Sequence, residues 1–154
     1  MTGVRIAILP LLWLGAAVFC APHRAGAAGD SISREVAAVL EAQQQAWNRG
    51  DIVGFMNGYA QGEGTTFVSG DTITRGWQTV LQRYQARYSD REKMGTLAFT
   101  EVEITPVCDD VAIAIGKWAL KVGSTNPHGR FTLIFRRTAQ GWRIVHDHTS
   151  SADK

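Results

Sequence analysis

The sequence contains few cysteines and no apolar run long enough to cross a membrane. Cys20 and Cys108 are the only cysteines among its 154 residues. An apolar stretch from Ile6 to Phe19 falls short of the ~20 residues that a membrane-spanning helix requires. A chain of this length can bury a hydrophobic core without covalent cross-links, so we expect one globular domain and no membrane anchor.

The first residues have instead the three parts of a secretory signal peptide. Arg5 precedes the apolar stretch, and a segment of small residues follows it. Ala25-Gly26-Ala27 forms an Ala-x-Ala site, so we predict cleavage after Ala27, with cleavage after Ala28 as the alternative. A lipoprotein signal ending at Cys20 is disfavoured, because Phe19 occupies the position where a small residue is required. The prediction is a signal peptide over 1–27, one domain over 28–154, and a periplasmic or secreted location.

Cleavage would change both the charge and the cysteine content. Loss of Arg5 and Arg24 leaves 14 basic residues against 14 acidic ones. A net charge near zero argues against binding to a nucleic acid or an anionic membrane, which would need a basic face. Loss of Cys20 would leave Cys108 alone, so we expect no internal disulfide and no cysteine-based zinc site in the mature chain.

Hydrophobic periodicity predicts three helices in the first half of the domain. The first begins near Ser31 or Ser33, either of which could cap it, and ends at Gly50. A short second helix runs from Ile52 to Tyr59, and a third, opened by Gly76, extends to Tyr88. Between the last two, residues 65–74 predict a hairpin that turns at Gly70-Asp71.

After Gly95 the sequence predicts only strands, rich in β-branched and aromatic residues. Short turn-forming segments separate them, which indicates antiparallel neighbours. The order of elements predicts an α+β layer fold with the helices on one face of the sheet. The four strands are Leu97–Ile104, Val111–Val122, Gly129–Arg137 and Trp142–Thr149.

Three segments carry a family resemblance: Trp47-Asn-Arg-Gly-Asp51, the strand Asp110–Trp118, and the last hairpin with Gly129–Arg137 and Gly141–Ser150. Over residues 33–150 the chain resembles the SnoaL-like, ketosteroid-isomerase-like branch of the nuclear-transport-factor-2-like superfamily. The nearest subgroup (DUF4440) is related to the association domain of calcium/calmodulin-dependent kinase II. The resemblance implies a cone, with three N-terminal helices packed into a strongly curved, mostly antiparallel sheet. It implies homodimers and an apolar pocket, and no particular reaction.

Side-chain alternation divides the last strand into two faces. Trp142, Ile144, His146 and His148 share one face, while Arg143, Val145, Asp147 and Thr149 share the other. Similarity to the kinase association domain places the Asp147 set inside the cone and the histidines outside, toward a dimer partner. His146 and His148 could form half of a metal site, but His128 and Cys108 are unsuited as third ligands, so we predict no metal and no other cofactor.

Asp147 is the candidate general acid or base, because burial in an apolar cone raises a carboxyl pKa. Tyr59 or Tyr84 could donate to a developing oxyanion. The other catalytic residues of ketosteroid isomerase are a tyrosine on the first helix and an acid near the hairpin, and they have no counterparts in this sequence. The first helix carries Trp47 instead, and Phe67 and Val68 occupy the hairpin. The alternative is a structural role in which Asp147 pairs with an arginine such as Arg143 or Arg130.

The aromatic residues are the stronger indication of a pocket. They come from every element that would line the cone and include Trp77 and Phe131. Trp118 alternates with Ala114 and Gly116, whose small size would leave room for a ligand. Arg83, Arg87, Arg91 and Lys93 are expected mostly on the solvated face and end of the third helix. The candidate lining residues are Trp47, Phe55, Tyr59, Phe67, Tyr84, Trp118, Thr132, Ile134, Asp147 and Thr149.

Three functional hypotheses follow. The preferred one is an exported homodimeric domain that binds a small apolar or amphipathic ligand. The alternative is a cofactor-free enzyme of the ketosteroid isomerase or SnoaL type, an isomerase, cyclase or dehydratase that uses Asp147. A third reading is an oligomerisation module with a vestigial pocket.

Overall fold

The computed structural model describes residues 26–152. Four helices and six strands form an α+β domain, and no described helix is long and apolar enough to span a membrane. The predicted signal peptide falls almost entirely on residues outside this range. The elements are α1 (Ala27–Asn48), α2 (Ile52–Met56), β1 (Thr66–Ser69), β2 (Thr72–Arg75), α3 (Trp77–Arg87), α4 (Arg91–Met94), β3 (Thr96–Cys108), β4 (Val111–Lys121), β5 (His128–Thr138) and β6 (Gly141–Thr149).

The helix predictions differ from the structure at the start of α1, at the end of α2, which is Met56 rather than Tyr59, and in the additional helix α4. α1 begins at Ala27 rather than near Ser31, because the preceding alanines and Gly29-Asp30 continue the helix, and no side chain caps it. Ser31 lies inside the helix and donates a hydrogen bond to Glu35. The short α4 was not predicted; the Asp90 carboxylate caps it by accepting from the Lys93 backbone N–H at 2.9 Å.

The six strands form one mixed sheet in the order β2-β1-β6-β5-β4-β3. The antiparallel meander of β3 to β6 was predicted correctly, and the hairpin extends it through a parallel pairing of β1 with β6. β3 is longer than predicted and runs through Pro106 to Cys108. Since β3 is an edge strand, the missing N–H of Pro106 is tolerated there.

Side chains of α1 bind the free edge of the sheet. The Asn48 amide exchanges two hydrogen bonds with the backbone of Leu97, at 2.8 and 3.0 Å. The Gln44 side chain accepts from the Phe99 N–H at 2.7 Å. These bonds occupy backbone groups of an edge strand and place α1 against the concave face of the sheet.

The buried core lies between α1 and this concave face. Val36, Met56 and Phe135 are completely buried there, with Ile144 at 1% exposure. Cys108 is also buried and is disulfide-bonded; the expectation of a lone cysteine concerns the mature chain after cleavage and stays a prediction. The only other cysteine, Cys20, lies outside the described residues.

Candidate functional site

A cavity of about 450 Å³ opens between the helices and the concave face of the sheet. Its wall is mainly aromatic and aliphatic, and its more exposed residues mark a mouth at one end. Eight of the ten candidate lining residues lie in this wall: Trp47, Phe55, Tyr59, Phe67, Tyr84, Trp118, Asp147 and Thr149.

An aromatic cluster forms the helical side of the wall. The Trp47 ring lies edge-on to Phe55 at 5.1 Å and to Tyr88 at 4.7 Å between centroids. Tyr84 completes the cluster, 5.3 Å from Phe55. The Trp47 indole N–H donates to the Met94 carbonyl at 3.0 Å, so its buried polar atom is satisfied. The cluster holds these rings in defined positions around the cavity.

A hydrogen-bonded group of three side chains lies within this apolar wall. Asp147 is 3% exposed. Its Oδ2 accepts a hydrogen bond from the Tyr59 hydroxyl at 2.6 Å. Its Oδ1 accepts from the Thr149 hydroxyl, also at 2.6 Å. Asp147 therefore pairs with two hydroxyls, and no arginine pairs with it among the described residues.

Burial raises the pKa of the Asp147 carboxyl to about 6. The hydrogen bonds from Thr149 and Tyr59 and the charge of His148 oppose this effect and do not cancel it. Burial also raises the pKa of Tyr59 and of Tyr84. Near neutral pH the site thus holds two protonated phenols and a carboxyl that can gain or lose a proton.

A β-bulge in β6 gives Asp147 its orientation and corrects the predicted alternation. Ile134 pairs with His146, whereas the next residue of β5, Phe135, pairs with Ile144, so Val145 is the extra residue. As a result Ile144 lies on the same concave face as Asp147, and both line the cavity. Trp142 is buried with them, and the prediction that Trp142 and Ile144 share a face with the histidines was wrong.

Two candidate lining residues were placed on the wrong face. Thr132 is exposed and Ile134 is half-buried, and neither borders the cavity. They pair with His148 and His146 on the outer face of the sheet. Their neighbours on β5 occupy the wall instead, namely Phe131 and Leu133, which are buried. Both faces of β5 carry apolar residues, so polarity alone could not assign them.

The small residues of β4 leave no space for a ligand. A Cβ added to Gly116 would lie 2.4 Å from Cζ of Phe131, so the Phe131 ring already fills the room that glycine provides. Ala114 is completely buried and does not border the cavity. The prediction that both residues open the pocket beside Trp118 was wrong. Trp77 is also absent from the wall; its indole N–H donates to the Met56 carbonyl.

The two histidines of β6 lie outside the cavity, His146 half-buried and His148 exposed. Within residues 26–152 no three His, Cys, Asp or Glu side chains group closely enough to hold a metal ion.

Several wall residues were not predicted. Phe99 pairs with Trp118 in the sheet, and the inward position of Trp118 could have identified it. Arg83 and Arg87 also border the cavity, although both were expected on the solvated face. Their spacing of one helical turn around Tyr84, itself a candidate, could have indicated this. Others are Gln43, Tyr88, Lys93, Leu97 and Leu120.

Comparison with known proteins identifies the family. Residues 36–154 match the SnoaL-like domain, and the chain belongs to this family of the nuclear-transport-factor-2-like superfamily. A crystal structure of an NTF-2 like protein of unknown function from Shewanella oneidensis MR-1 is 35% identical. It aligns over 77% of this chain and 98% of its own, with a TM-score of 0.74.

More distant structures share the fold. A ketosteroid isomerase-like protein from Erwinia carotovora atroseptica is 19% identical, covering 79% of this chain and 96% of its own, with a TM-score of 0.62. A protein of unknown function from the DUF3225 family of Pectobacterium atrosepticum is 20% identical, covering 80% and 92%, with a TM-score of 0.66. No curated protein matches the chain.

Proposed function

We propose that the mature chain is an exported, homodimeric domain that binds a small apolar or amphipathic molecule in its cone. The cavity carries this proposal. Its volume of about 450 Å³ falls within the range of roughly 300–1,000 Å³ typical of small-molecule sites. Protein interiors are otherwise close-packed, and an empty apolar space lowers stability. A binding role explains why side chains of the surrounding core do not fill it.

The few polar groups in the wall would orient the ligand. Asp147, Tyr59 and Thr149 form one connected group, and the buried Gln43 donates from Nε2 to the Phe55 carbonyl at 3.0 Å. A small number of placed polar atoms in an apolar wall is typical of binding pockets.

A thermal-stability screen of the purified, exported protein tests the binding function. The library would contain steroids, aromatic polyketides and long-chain amphiphiles. We expect at least one class to raise the melting temperature, and Trp118→Ala to lose most of that rise because Trp118 lines the cavity. Val53→Ala is the matched control, since Val53 is an exposed residue of α2 outside the cavity wall. An absence of hits, or equal effects in the two variants, would contradict the proposal.

The second candidate function is acid–base catalysis of the ketosteroid isomerase or SnoaL type. It is favoured by the burial of Asp147 and by a carboxyl pKa of about 6. A general acid or base works best with a pKa near the operating pH. The Tyr59 hydroxyl, however, donates to Asp147 itself, so a substrate carbonyl would have to displace it to receive its proton. We therefore rank binding without turnover first.

Asp147→Asn separates these two functions. An enzyme would lose its turnover of a stabilising ligand in this variant while keeping its affinity for it. A binding protein would show no turnover in either form of the chain, measured by mass spectrometry of the ligand after incubation.

The outer face of the sheet is the proposed dimer interface. It carries exposed Ile115 and Val107 and the strand pair that holds His146 and Ile134. Burial of these apolar side chains against a second copy would stabilise a dimer. Light scattering should give twice the chain mass for the exported protein and a lower mass for Ile115→Lys. A dimer with no ligand across the library would instead favour the oligomerisation module, and a monomer at all concentrations would overturn the interface.

A further inference from the structure

Two arginines stand at the mouth of the cavity. Arg83 and Arg87 lie one turn apart on α3, and both border the cavity. Arg83 is half-buried and Arg87 is exposed. Residues four apart on a helix project from the same side, so the two guanidinium groups face the same opening.

Aromatic rings support both guanidinium groups. The Arg83 group lies over the Phe67 ring, 5.3 Å from its centroid, and Nη1 donates to the Thr74 hydroxyl at 2.9 Å. The Arg87 group lies 5.7 Å from the centroid of the Tyr88 ring. A guanidinium has five N–H donors, so these contacts leave donors available. Because the rings already hold the two arginine side chains in place, these side chains lose less conformational entropy when a ligand binds.

No protein carboxylate neutralises these charges within residues 26–152. The third cation at the mouth, Lys93, is different, because its Nζ lies 3.0 Å from the Asp90 carboxylate. The only carboxyl in the cavity wall is that of Asp147, which accepts from Tyr59 and Thr149. The mouth is therefore cationic, with a mainly apolar cavity behind it, and the Asp147 carboxyl of that cavity bonds to hydroxyls and not to either arginine.

We infer that the ligand is an amphipathic carboxylic acid, whose apolar body fills the cone and whose carboxylate is bound by Arg83 and Arg87. This inference rests on the proposed binding function and specifies the class of ligand. Arginine binds carboxylates through paired N–H donors, and such charge-assisted hydrogen bonds are stronger than neutral ones. Apolar burial would provide most of the affinity, and the arginines would select the acid over a neutral analogue of equal shape.

Matched pairs of probes test the inference, each pair an acid and its primary amide. The pairs are decanoate and decanamide, 2-naphthylacetate and 2-naphthylacetamide, and deoxycholate and deoxycholamide, titrated by calorimetry. We expect at least one acid to bind tenfold or more tightly than its amide. In Arg83→Gln/Arg87→Gln the acid should bind only as weakly as the amide, while the affinity for the amide stays unchanged. Arg34→Gln is the control, since Arg34 is an exposed residue of α1 outside the cavity wall.

The outcomes separate this inference from the proposed function. Equal binding of acid and amide would overturn the inference and leave the binding function intact. If the double variant bound neither the acid nor the amide, the inference would also be overturned, because the arginines would then support the cavity structurally. Failure of every acid and amide to bind would count against both. Added salt should weaken acid binding and leave amide binding unchanged, a readout that a purely structural role would not alter.

Discussion

The Tyr59 hydroxyl donates a 2.6 Å hydrogen bond to Oδ2 of Asp147, joining the segment that follows α2 to the last strand. The two residues are 88 positions apart in the chain. An isolated β-bridge between Tyr59 and Ile144 brings these segments together. This bond links the two segments inside the cavity wall, and the buried carboxyl that accepts it makes stability depend on pH.

Asp147 should make the protein less stable as pH rises through the weakly acidic range. Its pKa in the folded state, about 6, lies above the ordinary value of 3.8, so folding favours the protonated form. The stabilisation is complete below about pH 4 and is lost as pH rises through 6, on the order of 3 kcal/mol in total. Denaturant unfolding of the wild type and Asp147→Asn between pH 4 and 8 measures the difference.

Relative to the wild type, Asp147→Asn should become more stable as pH rises across this window, and it should be the more stable form at pH 7.5. Asp71→Asn is the control, because Asp71 is exposed in the turn between β1 and β2. It should follow the wild-type curve. If the difference between wild type and Asp147→Asn were constant from pH 4 to 8, the raised pKa would be refuted.

Tyr59→Phe should raise the pKa of Asp147 further. The Tyr59 hydrogen bond lowers that pKa, and its loss leaves a buried carboxylate with one donor fewer. At pH 7.5 we expect destabilisation by ~1–3 kcal/mol, the usual cost of an unsatisfied buried acceptor. Carbon-13 NMR titration of the Asp carboxyl signals measures the pKa. Tyr88→Phe is the control, since Tyr88 makes no contact with Asp147; an equal shift in both variants would contradict a direct role of the bond.

Much of the fold could be predicted because each element has its own local pattern. The apolar periodicity of α1 and the turns between the strands are encoded over a few residues, and the family resemblance supplied the cone. The start of α1 was missed because Ala27 and Ala28 favour a helix yet also belong to a cleavage motif. The local sequence does not distinguish these two interpretations.

The wall of the site was harder to predict because it depends on register. Strand alternation assumes an unbroken ladder, and one extra residue at Val145 moves Ile144 to the face of Asp147. On β5, whether Leu133 or Ile134 faces the cavity depends on which face of the strand packs against α1. That packing is a long-range contact. The room beside Gly116 was assigned to a ligand because no local signal reveals that Phe131 fills it.

Gly116→Ala should destabilise the core. The new methyl would lie 2.4 Å from the buried Phe131 ring, which would have to leave its packed position and shift toward the cavity that it borders. Overpacking of this kind costs about 1–3 kcal/mol. Gly64→Ala is the control, because a Cβ at Gly64 meets no atom within 4 Å. In chemical denaturation the first variant should lose stability and the second should not, and Phe131→Leu should restore part of the loss in Gly116→Ala.

Glu101 has a φ of 52° in the bulge of β3. Its carboxylate pairs with Arg130 at 2.6 Å, with both side chains more than half exposed. Because exposed ion pairs contribute little, Glu101→Gln should cost less than ~1 kcal/mol. Glu101→Val should cost more, since a β-branched residue is strained at positive φ, whereas Glu101→Gly should relieve that strain and be neutral or stabilising. Denaturant midpoints of the three variants test this order, and a Gly variant less stable than the Val variant would contradict backbone strain at this position.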